Sequence, residues 1–395
     1  MKYIKEKEKE RLTDRISILL FQICVILDSL FGFNETLYRL SKGFMLFFFI
    51  WMILYELRKG YFELRWTFIY PFLFTLLSAL SILWAVNSGT ATAQFNTQLQ
   101  LFILFFFTYT LFLDEEKYIK KYFDALYISG VCMAIYALYS YGIIGYIEAL
   151  GKGIRMGRAI TNENLFGMTF AWSALVAFYY YLKNKKMLHL VCIVVFAFFA
   201  FSSGSKKASL MIPFGIIGMC TLKYGIRKMW KTILISVVSI GVFLLIIRQP
   251  MFSNVYERLS SFFSRDYNVS DATRAKMIEV GLQLFRQRPI LGYGIGNYTR
   301  ISGMGGYSHN NYIEVLVSTG LLGFALYYIP YIRALYWGFK EKVMNGDNMK
   351  TLLLVFAFLS IVFGYGMVQI YDKNCWLMYA VILACADSVT EETKE

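Results

Sequence analysis

Two residue types in this chain are suited to chemistry: arginines gathered in one polar segment, and a histidine at that segment's end. Between about residues 248 and 310 lie Arg248, Arg258, Arg265, Arg274, Lys276, Arg286, Arg288 and Arg300, and the run closes on His309. A guanidinium presents a planar fork that grips phosphate oxygens in pairs. An imidazole with an ordinary pKa of about 6.5 can take a proton from a hydroxyl at neutral pH. Together they suit a reaction in which a hydroxyl attacks and an anionic group leaves, with fixed cations stabilising the charge that develops. His189, the other histidine, lies in an apolar run and reads as a packed or interfacial residue.

The elements that must position these groups are membrane helices. The 395 residues are 57% hydrophobic and 18% aromatic, and a spanning helix needs about 20 mostly apolar residues. About twelve such runs are predicted, at 16–33, 41–57, 66–86, 95–113, 121–142, 164–182, 187–203, 206–222, 232–248, 311–337, 351–371 and 374–389. The expected fold class is an all-α polytopic membrane protein, one integral domain over 1–395, with a large structured extracytoplasmic loop at 249–310. Met1 to Arg15 is too charged for a cleavable signal peptide.

Orientation follows from the basic loops. KEKEKERLTDR, RKGYFELR, EEKYIKK, KNKKM, KYGIRKMWK and KEKVMNGDNMK alternate along the chain, and short loops rich in Lys and Arg face the cytoplasm. Both termini are then cytoplasmic. Three outward segments break the rule: GYIEALGKGIRMGRAITNEN, the turn SSGSKKAS, and 249–310. The net charge of +14 is accounted for by loop placement, not by nucleic acid.

The long outward segment has too many apolar residues for a solvated tail. Residues 271–288 read as an amphipathic helix. Asp271 serves as N-cap, Met277, Val280, Gly281, Leu284 and Phe285 recur at helical spacing, and Pro289 ends it. Arg274 falls along the apolar face. The turn PILGYGIGNY that follows reads as a tight loop re-entering the membrane surface; the other reading is backbone N–H groups approaching a phosphate. Asp266 and Asp271 stand alone, with no Asp-x-Asp pair, so no metal site is expected. The six cysteines fall in apolar runs without CxxC spacing and read as small buried residues.

Four stretches, RMGRAITNENLFG, SSGSKKASL, DATRAKMIEVGLQLFRQRPILGYGIGNY and SHNNYIEVLVSTGLLG, resemble the O-antigen ligase and polymerase superfamily, the Wzy-type polymerases and their ligase relatives. The resemblance implies a GT-C-like fold and a glycosyltransferase that needs no metal or other cofactor. It would act on the outer face of a bacterial cytoplasmic membrane, with undecaprenyl-diphosphate-linked oligosaccharides as substrates. By position it implies that His309 and Arg274 are catalytic, and that Arg158, Lys206 and Arg274 bind the diphosphate. Lys206 stands where many relatives have arginine. Asn164, Lys207, Arg265, Asn310 and Glu314 are supporting candidates.

The leading expectation is polymerisation of a capsule, exopolysaccharide or other surface polysaccharide, with a chain-length regulator as protein partner and membrane lipids as surroundings. The alternative within the family is a ligase that moves a finished glycan to lipid A core, teichoic acid or another acceptor. A lipid-linked sugar transporter is the alternative of another class. It predicts charges at mid-membrane, of which Asp28 is the clearest here.

Overall fold

The computed structural model describes residues 12–392, apart from 33, 35–36, 114–115, 341–348 and most of 226–268. Among the described residues every regular element is a helix. In chain order these are α1 (Leu12–Phe31), α2 (Tyr38–Lys59), α3 (Ile69–Leu80), α4 (Ser88–Phe112), α5 (Glu116–Tyr141), α6 (Ile143–Gly151) and α7 (Glu163–Asn184). They continue with α8 (Met187–Ser202), α9 (Lys206–Tyr224), α10 (Val269–Gln287), α11 (Tyr298–Ile301), α12 (Asn311–Lys340), α13 (Met349–Phe363) and α14 (Lys373–Glu392). Their ends follow local chemistry. Asn87 and Asn162 cap α4 and α7 by accepting the N–H groups of Thr90 and of Asn164 and Leu165.

Among the described residues seven helices are long and apolar enough to cross a bilayer: α2, α3 with its flanking 3-10 turns, α4, α5, α7, α12 and α13. The chain is thus a multi-pass membrane protein, and the structure accounts for seven of the twelve expected spans. α8 is apolar but has only 16 residues. α1, α9 and α14 are helical where spans were expected but carry charge, such as Asp14 and Asp28 in α1 and Lys206, Lys207 and Lys223 in α9. The expected span 232–248 lies mostly outside the described residues.

α7 is the hub, packed on α5, α8 and α9. Its spanning window is 72% buried against 22% for α2, which sits at the rim. Between helices in lipid, close packing and hydrogen bonds supply the attraction, because the tails are as apolar as the side chains. Gly167 provides such an approach: a Cβ there would lie 2.3 Å from Ser203 Oγ and 3.0 Å from Ala208 Cβ. The turn between α8 and α9 therefore presses on the start of α7. Asp28, the mid-span charge, is paired with Lys373 at 2.5 Å and accepts the Ser41 hydroxyl. It joins α1, α2 and α14 and has a structural role.

The amphipathic helix α10 begins two residues before the predicted start, so Asp271 falls in its first turn and not at the cap. It stops at Gln287, as Pro289 demands. Met277 is buried with Ile313, Val317, Tyr293 and Tyr298, and Ile278, Leu284 and Phe285 pack around them. Gly281 makes this possible, since a Cβ there would come 2.2 Å from Ile313 Cγ2. The Tyr298 hydroxyl donates to the Met277 carbonyl at 2.6 Å. α10 is thereby fixed to the first half of α12.

α12 is broken at Gly320 (φ 65°, ψ −164°), and the glycine-rich turn fills the break. Tyr293 and Gly294 donate their N–H groups to the carbonyls of Val317 and Ser318 at 2.9 and 3.0 Å. Leu321 and Leu322 donate to Pro289 and Ile290 at 2.8 and 3.3 Å. A broken helix in lipid persists only where its freed backbone groups find partners, and here the turn supplies them. Ile295 N–H is also taken, by Ser81 Oγ. The turn is therefore a wedge between α12 and the α3–α4 junction, and these N–H groups are not available to a phosphate.

Candidate active site

His309 sits in the short link between α11 and α12, outside the spans. Its φ is +54°, in the left-handed region that side chains seldom adopt. A collar of hydrogen bonds holds it there. The Ser308 N–H and hydroxyl reach the Glu314 carboxylate at 3.1 and 2.7 Å. Asn310 caps α12 through its side-chain oxygen, which accepts the Ile313 N–H at 3.1 Å. Glu314 is fully enclosed. The flanking residues are thus pinned to the helix, and the half-buried imidazole projects with the Tyr307 ring tilted over it at 4.1 Å between centroids.

Two cations stand beside this imidazole, and a third stands beside one of them. Arg274, in the first part of α10, and Lys207, in the first turn of α9, both act on His309 electrostatically. Arg274 and Arg155 in turn act on Lys207. Arg155 reaches in from the loop after α6, where its Nε donates to the Ser203 carbonyl at 3.0 Å and its Nη2 to Asn164 Oδ1 at 3.1 Å. Its stem lies over Gly204, whose missing Cβ leaves the room. The stem of Lys207 lies against Gly366. Among the described residues neither Arg274 nor Lys207 has a carboxylate partner.

That imbalance governs His309. Partial burial, then the Arg274 and Lys207 charges, push its pKa down to about 4. The imidazole is therefore neutral at neutral pH and free to accept a hydrogen bond or proton. The acid limb of kcat/KM, which reports the free enzyme, is expected near pH 4 and not near 6.5. A bound dianion would offset the cations and raise the pKa. The acid limb of kcat should then lie at higher pH than that of kcat/KM, and pH–rate profiles of the purified protein check both.

The structure brings together Arg274, His309 and Lys207, with Asn164 at one edge through Arg155 and with Asn310 and Glu314 behind the histidine. It does not bring in Arg158, which is exposed on the turn before α7. Lys206 precedes Lys207, and adjacent helical residues leave the axis about 100° apart; of the two it is Lys207 that acts on His309. Arg265 lies outside the described residues. The sequence reading gave Arg155 no role, and spacing offers no signal for it; only the groove over Gly204 shows its direction. Asn311 was also missed. It is buried, accepts the N–H groups of Gln369 and Ile370 at 2.7 and 3.1 Å, and donates to the Tyr328 hydroxyl at 2.7 Å. It thereby ties the residues behind Lys207 to the start of α12.

No curated protein matches the chain. Residues 190–328 match the family model described as O-Antigen ligase. The match runs from α8 into α12 and takes in Lys206, Lys207, Arg274, His309, Asn310 and Glu314. This stretch holds most of the cation group and the histidine, and its match supports the likeness to the O-antigen ligase/polymerase superfamily.

Proposed function

We propose that the protein is a polysaccharide polymerase of the outer face of the bacterial cytoplasmic membrane, transferring a glycan from undecaprenyl diphosphate to the next lipid-linked repeat unit. The observation that carries this reading is the half-buried group of Lys207 and Arg274, without carboxylate partners among the described residues, beside a neutral histidine. Charges held together against their own repulsion need an anion to offset them. A diphosphate supplies that charge, and bidentate guanidinium contacts suit its oxygens.

In the reaction an acceptor hydroxyl attacks the anomeric carbon and the bond from that carbon to the diphosphate oxygen breaks. The electron pair leaves on the diphosphate, where Arg274, Lys207 and Arg155 stabilise it, and the sugar inverts. His309 orients the hydroxyl and takes its proton. Arg158 and Lys206 remain candidates for a more distant part of the same anion, and Asn164 positions Arg155. The cations do the work a divalent metal does elsewhere. A chain-length regulator is the expected protein partner.

The family description favours a second reading, a ligase that delivers a finished glycan to lipid A core, teichoic acid or another acceptor. A glycan ladder from cells carrying His309→Ala separates the outcomes. Accumulation of single lipid-linked repeat units is the expected result. Full-length polymer left on the lipid carrier selects the ligase, and an unchanged ladder with properly inserted protein overturns both readings.

A further inference from the structure

The strip of isoleucines on α6 is not used by the reaction described above. With nine residues at 1.5 Å each, α6 is about 14 Å long, too short to cross a bilayer. It starts at Gly142 (φ 68°), which turns the chain away from the spanning helix α5. One face is buried through Tyr146 and Leu150. The adjoining side leaves Ile143, Ile144 and Ile147 exposed at 65, 74 and 49%, and Ile154 just beyond the helix is 51% exposed. A short helix with such a face lies along the apolar boundary of a membrane.

What distinguishes α6 from any lipid-facing surface is its attachment. The Tyr146 hydroxyl is bonded to Ser202 Oγ at 2.5 Å, and the Met156 N–H donates to the Ser202 carbonyl at 3.0 Å. Both anchor points belong to the turn that carries Ser203, which binds Arg155, and leads into Lys207. Ile154 is the immediate neighbour of Arg155. The apolar strip and the cation group are thus two ends of one rigid unit. An ordinary membrane lipid would meet only the strip, whereas a lipid with a diphosphate head would meet both ends at once.

We infer that the exposed isoleucines of α6 hold the first isoprene units of the donor's polyprenyl chain, so that chain and diphosphate are read together. This rests on the reading of the cation group as a diphosphate site. It implies that an isoprenoid chain adds affinity beyond that of the same head group alone.

The test uses the full chain in nanodiscs of phosphatidylglycerol, so that a bilayer lipid competes throughout. The probes are undecaprenyl diphosphate and methyl diphosphate, which carries the same head group without an isoprene chain. The variant Ile143→Asn, Ile144→Asn, Ile147→Asn is expected to bind undecaprenyl diphosphate about tenfold more weakly than wild type, with methyl diphosphate changed by less than about twofold. Partitioning into the disc cancels in each wild-type-to-variant ratio. Equal weakening of both probes, or of neither, overturns the inference. Lys207→Ala is the second arm and should weaken both probes alike. If it weakens neither, the diphosphate reading of the cation group fails, and the α6 comparison shows separately whether the strip senses the isoprenoid chain.

Discussion

Replacing Arg274 by alanine is expected to cut glycan transfer by about 10²–10³-fold, the usual cost of removing one fixed group that stabilises charge in a transition state. The loss should appear in kcat as well as in kcat/KM, because charge on the departing diphosphate is greatest as the bond breaks. Arg274→Lys should fall between, since an ammonium keeps the charge and loses the fork. The substitution also has a signature that needs no substrate. Arg274 is one of the two charges that depress His309, so its removal should raise the His309 pKa, a shift readable by titrating the imidazole. Stability should hold or rise, because Arg274 and Lys207 repel each other. An Arg274→Ala protein with full activity and an unmoved histidine would sink the account of the site.

Gly320→Ala should be the most damaging change far from the chemistry. Its backbone sits at φ 65°, ψ −164°, a conformation essentially reserved for glycine. A Cβ would stand 2.2 Å from the Ile290 carbonyl oxygen, a backbone atom that cannot swing aside. Strain and overlap together should cost about 3–5 kcal/mol. Alanine also favours mending the helix, with Leu321 and Leu322 donating to Val317 and Ser318 and the wedge at 289–294 expelled. α10 would then lose its footing against α12, and Arg274 its position. Faster hydrogen exchange at Tyr293 and Gly294, with lowered thermal stability and activity, is the expected outcome. Protected amides at wild-type stability would show that the wedge does not hold the break.

Much of the frame was legible in the sequence because it rests on local patterns. Apolar runs about as long as a bilayer is thick gave α2, α3, α4, α5, α7, α12 and α13 close to their observed bounds. Spacing of Met277, Gly281 and Leu284 gave α10 and its packing face, and Pro289 gave its end. The break in α12 was not legible. STGLLG reads as a continuous helix tolerating one glycine, and nothing nearby shows that residues 289–294 would satisfy the freed carbonyls. α1, α9 and α14 are helical at the expected spans 16–33, 206–222 and 374–389, but the pairing of Asp28 in α1 with Lys373 in α14 was not legible, because the two lie far apart in the chain.

The same division runs through the site. The sequence by itself determined that this is a membrane protein, that an amphipathic helix bearing Arg274 precedes a lone histidine before a span, and that both resemble one family of glycan-transfer enzymes. Those properties are fixed by composition and by spacing within one element. Only the tertiary structure decided which cations stand together. Arg155 enters over Gly204 while Arg158 faces outward, and Lys207 faces His309 where Lys206 had been favoured. One residue along a helix is about 100° around it, and the groove that admits a side chain is made by another segment altogether. Direction and neighbourhood are properties of packing, and they decide which of several arginines and lysines can meet an anion.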